Sequence, residues 1–240
     1  MISEINFAKG YSAFWTANAP NLGDYTSSAL SVGKRIGKAI SLPEDPHHVA
    51  VNNLIATTHF RNISARPECT VEESMDASIP IINVFYSSWK DRYDLTENYR
   101  KIITIQAERL GAMYVGKLVH DPPFPGCGIM TNCNGDLLSG TTLIEIKAHR
   151  DTRKKPFRLE DFRQLLVYLA LNYIAGSIYD IRKIHLFNPR MGYLWQSGVE
   201  EFIYLVSNTT SESFFKSMGT FLSELSESPD FLTGFEDFDN

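Results

Sequence analysis

Cysteine is scarce in this sequence, and the few thiols present are not paired at short spacing. The three cysteines, Cys69, Cys127 and Cys133, are an odd number, and none belongs to a Cys-x-x-Cys pair. This pattern argues against a disulfide framework and against a zinc site built from four thiolates. We therefore expect reduced cysteines with structural roles.

Long apolar runs, a secretory signal and a glycine-rich phosphate loop are also missing. No apolar run approaches the roughly 20 residues that a membrane-spanning helix requires. The first residues, Met-Ile-Ser-Glu-Ile-Asn-Phe, lack the basic-then-apolar order of a signal peptide. We expect a cytoplasmic protein that does not enter a membrane. Any ATP-driven step would need another chain, because no phosphate loop is present.

Positive charge is in deficit, with 23 Lys and Arg against 28 Asp and Glu and a net charge of −5. This balance is unfavourable for nucleic-acid binding, because affinity for a phosphate backbone comes mainly from clustered Lys and Arg. The distribution matters more than the total. One short stretch, from His149 to Arg163, concentrates the basic residues Arg150, Arg153, Lys154, Lys155, Arg158 and Arg163.

The 240 residues are enough for one sizeable core, and the patterns along the chain divide it into three parts. Residues 1–90 are typical of an N-terminal helical region interrupted by turns. Residues 91–225 alternate between helical and strand patterns. Residues 226–240 are acidic and aromatic without periodicity, so we expect a mobile tail or a docking peptide there.

The middle part predicts an α/β core in which helices flank a mixed central β-sheet. Helical periodicity and turn residues define its helices, and two β-prone runs around Ser139-Gly140 indicate a hairpin. The other expected elements are helices from Thr96 to Val115, from Leu159 to Ile174, from about Val199 and from about Ser211 to Leu225, with strands from Ile181 to Phe187 and from Tyr193 to Gln196.

The hairpin brings together the residue types that phosphodiester hydrolysis needs. A turn at Ser139-Gly140 pairs Asp136 with Leu143, and period-two alternation then puts Asp136, Glu145 and Lys147 on one face. Glu145 lies diagonally from Asp136 at about 7 to 8 Å, close enough for two carboxylates to reach one Mg²⁺ ion. Lys147 adds an ammonium group that could hold or deprotonate a water or stabilise charge on phosphorus. Alone, a Glu-x-Lys strand is typical of a solvated surface with a weak ion pair.

The order and spacing of three short motifs carry a family resemblance. They are Gly135-Asp136, then Glu145-Ile146-Lys147, then Gln164-Leu165-Leu166-Val167-Tyr168. The chain resembles the PD-(D/E)XK nuclease superfamily over about residues 97–190, in particular the branch that includes RecB nuclease domains and lambda exonuclease. It departs from the pattern where Gly135 replaces the proline that precedes the aspartate.

The resemblance implies a restriction-endonuclease-like fold and a role for each motif residue. Asp136, Glu145 and the Ile146 carbonyl would hold Mg²⁺ or Mn²⁺, and Lys147 would be catalytic. Gln164 would support catalysis, and Tyr168 would support the site or the DNA. Many members also have an acidic residue on the preceding helix, for which Glu108 is the first choice and Glu97 the second. The phosphate contacts would come from Arg150, Arg153, Lys154, Lys155 and Arg158.

The main hypothesis is therefore a metal-dependent deoxyribonuclease that hydrolyses DNA by metal-activated water. The resemblance suggests DNA repair, restriction or antiviral defence, and an endonuclease or an exonuclease, acting as a homodimer or within a larger complex. One alternative is a non-catalytic subunit that keeps the fold and binds nucleic acid or protein. Another is a helical interaction protein for which the hairpin is only scaffold, and this alternative predicts no metal affinity.

Overall fold

A computed structural model describes residues 1–40, 46–85, 93–147 and 156–227. The helices in these residues are α1 (Glu4–Lys9), α2 (Ser12–Asn18), α3 (Leu22–Val32), α4 (Pro46–Ala65), α5 (Val71–Phe85), α6 (Glu97–Met113), α7 (Leu159–Ile174), α8 (Val199–Ser207) and α9 (Ser211–Glu227). The strands are β1 (Lys34–Arg35), β2 (Leu118–His120), β3 (Pro123–Phe124), β4 (Cys133–Asn134), β5 (Leu137–Ser139), β6 (Thr142–Ile146), β7 (Lys183–Asn188) and β8 (Tyr193–Gly198).

The described strands form a mixed six-stranded sheet in the order β1-β8-β7-β6-β5-β2, with β3 and β4 as a separate ribbon. Only β6 and β7 pair in parallel within this sheet, and helix α7 connects them. The other neighbouring strands are antiparallel. The expected α/β class with a mixed sheet flanked by helices is therefore confirmed.

Helix α7 packs on one face of the sheet and is itself covered by other helices. Its apolar side chains, such as Leu165 and Leu166, share a hydrophobic cluster with Leu143 of β6 and Trp195 of β8. The same cluster includes Phe7 and other apolar residues of α1, α2, α8 and α9. Because both sides of α7 are covered, its sequence is apolar almost all round, which is typical of a buried helix.

Helices α4 and α6 cover the opposite face of the sheet. Ala107 and Leu110 of α6 and Phe60 of α4 pack against a strand surface that includes Ile144 and Phe187. Helix α5 lies behind them, where its apolar side chains meet those of α4 and α6. Burial of each large apolar side chain in these layers contributes about 1.5–3 kcal/mol before entropy costs.

The N-terminal region is helical, as expected, but it also supplies an unpredicted strand. Lys34 and Arg35 form β1, which pairs antiparallel with Leu194 and Tyr193 at one edge of the main sheet. Two residues are too few to show strand periodicity, so this pairing has no local sequence signal.

The other sequence-predicted elements agree with the structure. Helix α7 has the expected bounds, Thr96 caps α6 through a hydrogen bond from the Tyr99 N–H, and α8 begins at Val199. Helix α9 continues to Glu227, so the first two residues of the expected tail are helical, while residues 228–240 lie outside the described residues. Among the described residues, no helix combines the length and the apolar character needed to cross a membrane.

Candidate active site

The hairpin of β5 and β6 has a register that differs from the predicted one by two residues. Ser139 pairs with Thr142 and Leu138 with Leu143, so the turn consists of Gly140 and Thr141 rather than Ser139 and Gly140. Gly140 has φ of +57°, which glycine adopts without strain. A shift of two residues keeps every side chain on its predicted face. It also corrects the pairing of Asp136, which now comes opposite Glu145 instead of Leu143.

Asp136 and Glu145 form a pair of carboxylates at the end of this hairpin. The Ile146 N–H donates a 2.6 Å hydrogen bond to Asp136 Oδ2. Glu145 is only 3% exposed, and its Oε2 atom is buried without a hydrogen-bond partner in the described residues. Burial and the neighbouring Asp136 carboxylate raise the pKa of Glu145 to about 8, and burial likewise raises the pKa of Asp136. Both carboxylates can therefore be ionised together at neutral pH only when a cation lies beside them.

Lys147 supplies one positive charge to this pair. Its Nζ atom donates hydrogen bonds of 2.7 Å to Glu145 Oε1 and to Gln164 Oε1. Asp161 Oδ1 lies 4.0 Å from the same nitrogen. Burial alone would lower the pKa of Lys147, but the surrounding carboxylates, led by Glu145, raise it above its usual value. Lys147 is therefore a fixed cation at neutral pH.

Gln164 and Tyr168 lie one turn apart on α7, where Gln164 binds Lys147 and Tyr168 binds Gln164. Gln164 Nε2 donates a 2.7 Å hydrogen bond to Tyr168 Oη, while Gln164 Oε1 accepts from Lys147. Tyr168 is 1% exposed, and its ring stacks on Phe124 with centroids 5.3 Å apart. The expectation that Tyr168 contacts nucleic acid is wrong, because its ring and hydroxyl are enclosed by protein. Its position supports Gln164 instead.

The structure does not bring Glu108 or Glu97 to the carboxylate pair. Both residues lie on α6, which packs on the sheet face opposite to Glu145 and Lys147. Glu108 is exposed, and the Glu97 side chain is 93% exposed with Arg100 as its ion-pair partner. The choice of Glu108 as a metal ligand was therefore wrong. An amphipathic helix can cover either face of a sheet, and the sequence does not say which.

Two acidic residues that sequence reasoning left out lie beside the lysine and the glutamine. Asp161 is 5% exposed, and its Oδ2 accepts a 2.7 Å hydrogen bond from the Arg158 N–H at the start of α7. Its position three residues before Gln164 was a usable signal, because residues i and i+3 share a helix face. Glu4 of α1 has Oε1 at 3.4 Å from Gln164 Nε2. No local pattern could reveal Glu4, since 160 residues separate the two.

A pocket of about 380 Å³ opens beside Lys147 between α1 and the start of α7. Lys147, Gln164 and Asp161 line its inner part. The other lining residues are Ile5, Ala8 and Lys9 of α1, with Arg158 and Glu160. The pocket provides a route by which an anionic group could approach the lysine.

Of the five basic residues expected to contact phosphate, Arg158 alone belongs to the described part of the chain. Arg150, Arg153, Lys154 and Lys155 lie outside the described residues. Arg158 is described and is exposed at the N-terminus of α7, at the pocket that contains Lys147.

The donor set at the carboxylate pair fits a hard divalent cation that keeps part of its water shell. Among the described residues, no group of three or more His, Cys, Asp and Glu side chains is arranged to hold a metal ion. Mg²⁺ is commonly bound through one or two carboxylates with water completing its shell, so Asp136 and Glu145 are a sufficient protein contribution. The partnerless Glu145 Oε2 is an oxygen atom that such a cation would satisfy.

No family model, no curated protein and no solved structure matches this chain. The geometry of Asp136, Glu145, Lys147 and Gln164 is therefore the basis on which a function can be inferred.

Proposed function

We propose that this protein is a metal-dependent deoxyribonuclease of the PD-(D/E)XK type. The observation that supports it most directly is the buried Glu145 carboxylate. One of its oxygens accepts from Lys147, and the other receives no hydrogen bond from a nitrogen or hydroxyl donor among the described residues. A buried polar atom without a partner costs about 1–3 kcal/mol, and such atoms are usually found where a ligand completes them.

In this proposal Asp136 and Glu145 hold Mg²⁺ or Mn²⁺, with the Ile146 carbonyl as a third ligand. A divalent cation bound there would lower the pKa of a water molecule and screen the charge of the phosphodiester. The Ile146 N–H holds Asp136 in place through Oδ2, and Lys147 holds Glu145 through Oε1. Both carboxylates are thus oriented by hydrogen bonds before substrate arrives, which is the usual condition for an efficient site.

Lys147 acts in this proposal as a fixed positive charge rather than as a base. Its raised pKa keeps the ammonium group protonated, because three carboxylates surround it. Negative charge grows on the phosphate oxygens as water attacks, and a cation oriented in advance stabilises that charge. Gln164 Oε1 accepts a second hydrogen bond from the ammonium and so keeps it from turning away.

The proposal is tested by incubating the protein with linear, circular and single-stranded DNA in Mg²⁺, Mn²⁺ or EDTA. The variants Lys147→Ala and Asp136→Ala remove the two central groups. Glu108→Gln is a matched control, because Glu108 is an exposed acidic residue on the opposite face of the sheet. We expect metal-dependent cleavage that both alanine variants abolish and that Glu108→Gln leaves unchanged.

Cleavage that survives in Lys147→Ala would contradict the assignment of the site, even if the protein is a nuclease. The three DNA forms also separate the modes of action. An exonuclease degrades linear DNA and spares closed circles, whereas an endonuclease cuts both.

A second candidate function is a non-catalytic nucleic-acid- or protein-binding subunit that retains this fold. It is favoured by the net charge of −5, since a partner protein would then supply much of the affinity for nucleic acid. This candidate predicts DNA binding without cleavage in any metal, and restoration of cleavage only by a partner protein.

A further inference from the structure

The N-terminal strand β1 lies at the same end of the sheet as the candidate active site, and it belongs to a long segment that has basic residues but no acidic ones. From Tyr25 to Pro43 the sequence has no Asp or Glu, but it has Lys34, Arg35 and Lys38. All three are exposed, and none takes part in an ion pair among the described residues. The net negative charge of the chain makes such an uncompensated group notable.

The strand register places Arg35 in one row with Lys147. Ile146 pairs with Phe187, so Lys147 comes beside Asn188, and the Lys147 N–H donates to the Phe187 carbonyl. Asn188 pairs with Tyr193, and Tyr193 pairs with Arg35. Lys147, Asn188, Tyr193 and Arg35 thus form one row across four neighbouring strands. Three strand spacings of about 4.8 Å give a distance of about 14 Å between the backbones of Lys147 and Arg35.

The pairing also decides the face on which each cation lies. Tyr193 packs with the cluster on the α7 face, whereas Leu194 packs with the cluster on the α6 face. Arg35 pairs with Tyr193 and Lys34 with Leu194, so Arg35 shares the face of Glu145 and Lys147 while Lys34 lies on the other. The Arg35 charge is close enough to Tyr193 to oppose the rise in the pKa of that hydroxyl, which burial causes.

Several contacts fix this segment against the body of the protein. The Ile36 N–H donates to the Gly192 carbonyl at 2.8 Å, and the Ile40 N–H donates to the Arg190 carbonyl at 2.9 Å. Arg109 of α6 donates a 2.5 Å hydrogen bond to the Lys38 carbonyl. The cations therefore project from a backbone with defined geometry.

Two contacts link the start of α7 to Tyr193 and Asn188, the two middle positions of the row. The Phe157 ring lies 5.9 Å from the Tyr193 ring, and Asn188 donates a 3.3 Å hydrogen bond to the Pro156 carbonyl. Arg158, which follows directly, is exposed at the pocket of Lys147. Arg158 thus lies beside Lys147, directly after two residues that contact the middle of the row.

We propose that Arg35, together with Arg158, forms a phosphate-binding surface that guides a DNA strand past Lys147. This inference rests on the proposed nuclease function and assigns a role to the N-terminal region. A row of about 14 Å corresponds to about four base-pair steps along the axis of a B-form duplex, at about 3.4 Å each. Contacts to phosphate fix the register of a nucleic acid without reading its sequence, so the surface should bind without base preference.

The test measures binding apart from cleavage, by fluorescence anisotropy of a labelled oligonucleotide in EDTA, both single-stranded and as a duplex. The variant Arg35→Ala/Arg158→Ala removes the two proposed contacts. Lys34→Ala removes a neighbouring cation on the opposite face, and Lys117→Ala removes an exposed cation next to β2, at the far edge of the sheet. Mn²⁺ affinity, measured separately, reports on the candidate metal site.

We expect the double variant to weaken binding by about tenfold, at roughly threefold for each phosphate contact. The slope of log affinity against log salt should become less steep by about 1 to 2. Both control variants should bind as the unchanged protein does, and Mn²⁺ affinity should be the same in all. The double variant should lose more affinity for one oligonucleotide form, single-stranded or duplex, than for the other. The form with the larger loss is the one that this surface binds.

Unchanged binding and salt slope in the double variant would overturn this inference and leave the nuclease proposal standing. An equal loss in Lys34→Ala would also overturn it, because that residue lies outside the row. Loss of DNA binding confined to the double variant, in a protein that cleaves nothing, would support the surface while contradicting the nuclease function.

Discussion

Lys147 and Gln164 are 17 residues apart in the sequence, yet Lys147 Nζ and Gln164 Oε1 are joined by a hydrogen bond of 2.7 Å. The contact links the end of β6 to the second turn of α7. The amide nitrogen of Gln164 donates a further hydrogen bond to the Tyr168 hydroxyl. A buried ammonium held by both a carboxylate and an amide cannot change position without losing a hydrogen bond. The orientation of Lys147 is therefore a property of the whole β6–α7 unit.

The hydrogen bonds from Lys147 to Gln164 and from Gln164 to Tyr168 predict how substitutions in α7 affect activity. We expect Gln164→Leu to lower kcat by up to about 100-fold, since displacement of a catalytic group by about 1 Å can cost that much. Tyr168→Phe should have a smaller effect, because Lys147 keeps its acceptor and only the Gln164 amide loses one. Steady-state kinetics check both variants. Equal losses in kcat for the two would contradict the proposed order of contacts, and thermal unfolding shows whether each variant is folded.

Removal of a carboxylate charge should lower Mn²⁺ affinity on the sheet face of Glu145 but not on the opposite face. Asp136→Asn should weaken Mn²⁺ binding by about tenfold or more, because it removes a charged ligand but keeps an oxygen for the Ile146 N–H. Glu108→Gln removes the same charge from an exposed position on α6 and should leave binding unchanged. Isothermal titration calorimetry measures both. The absence of Mn²⁺ binding in the unchanged protein would favour an interaction protein over a metalloenzyme.

The partly buried His185 should make the folded protein less stable in acid, and it lies outside the candidate active site. It lies on the sheet face covered by α6, with Nδ1 3.2 Å from Tyr114 Oη and Lys183 nearby on its own strand. Burial, assisted by the Lys183 charge, lowers its pKa from 6.5 to about 4. The unfolded chain therefore binds a proton between these pH values that the folded chain does not, so stability falls as pH falls from 6.5 to about 4.

The expected size of this loss is about 2 kcal/mol, since the ring is partly exposed and solvent screens the effect. His185→Gln cannot take up this proton and should show a smaller decrease in melting temperature between neutral pH and pH of about 4.5. Thermal unfolding followed by circular dichroism at both pH values measures the difference. An identical decrease in the two proteins would show that other groups cause the acid sensitivity.

Two glycines with the same backbone conformation provide a matched test of the turn beside β1. Gly140 and Gly192 have φ of +57° and +59°. A side chain at Gly140 would meet no atom within 4 Å, whereas one at Gly192 would come within 2.7 Å of the Gly37 carbonyl oxygen. Gly140→Ala should therefore cost about 1–2 kcal/mol from left-handed strain alone, and Gly192→Ala should cost more. Chemical denaturation gives both values, and equal costs would contradict the close approach of Gly37.

Several parts of the fold were predictable because they depend on local periodicity. The bounds of helix α7 were predictable from a long apolar pattern that begins with acidic residues, which favour helix formation at that end. The shared face of Asp136, Glu145 and Lys147 was also predictable. It survived an error of two residues in the turn, because side chains alternate with a period of two.

Other parts were not predictable because they depend on contacts between distant segments. The side of the sheet on which α6 packs decided that Glu108 lies away from the site, and an amphipathic pattern is the same for either side. The burial of Tyr168 depends on Phe124 of the small ribbon, which no motif links to α7. The proximity of Glu4 to Gln164 depends on α1 packing against a helix that begins more than 150 residues later.

The sequence by itself determined the α/β class, the main helices and strands of the second half and the common face of the two carboxylates and the lysine. Each of these follows from patterns within a few residues, where backbone geometry fixes the direction of side chains. Only the tertiary structure decided that Asp136 stands opposite Glu145, that Gln164 holds Lys147 and that Arg35 shares their row. These relationships depend on the order and register of strands from distant parts of the chain, and the packing of the whole core selects them.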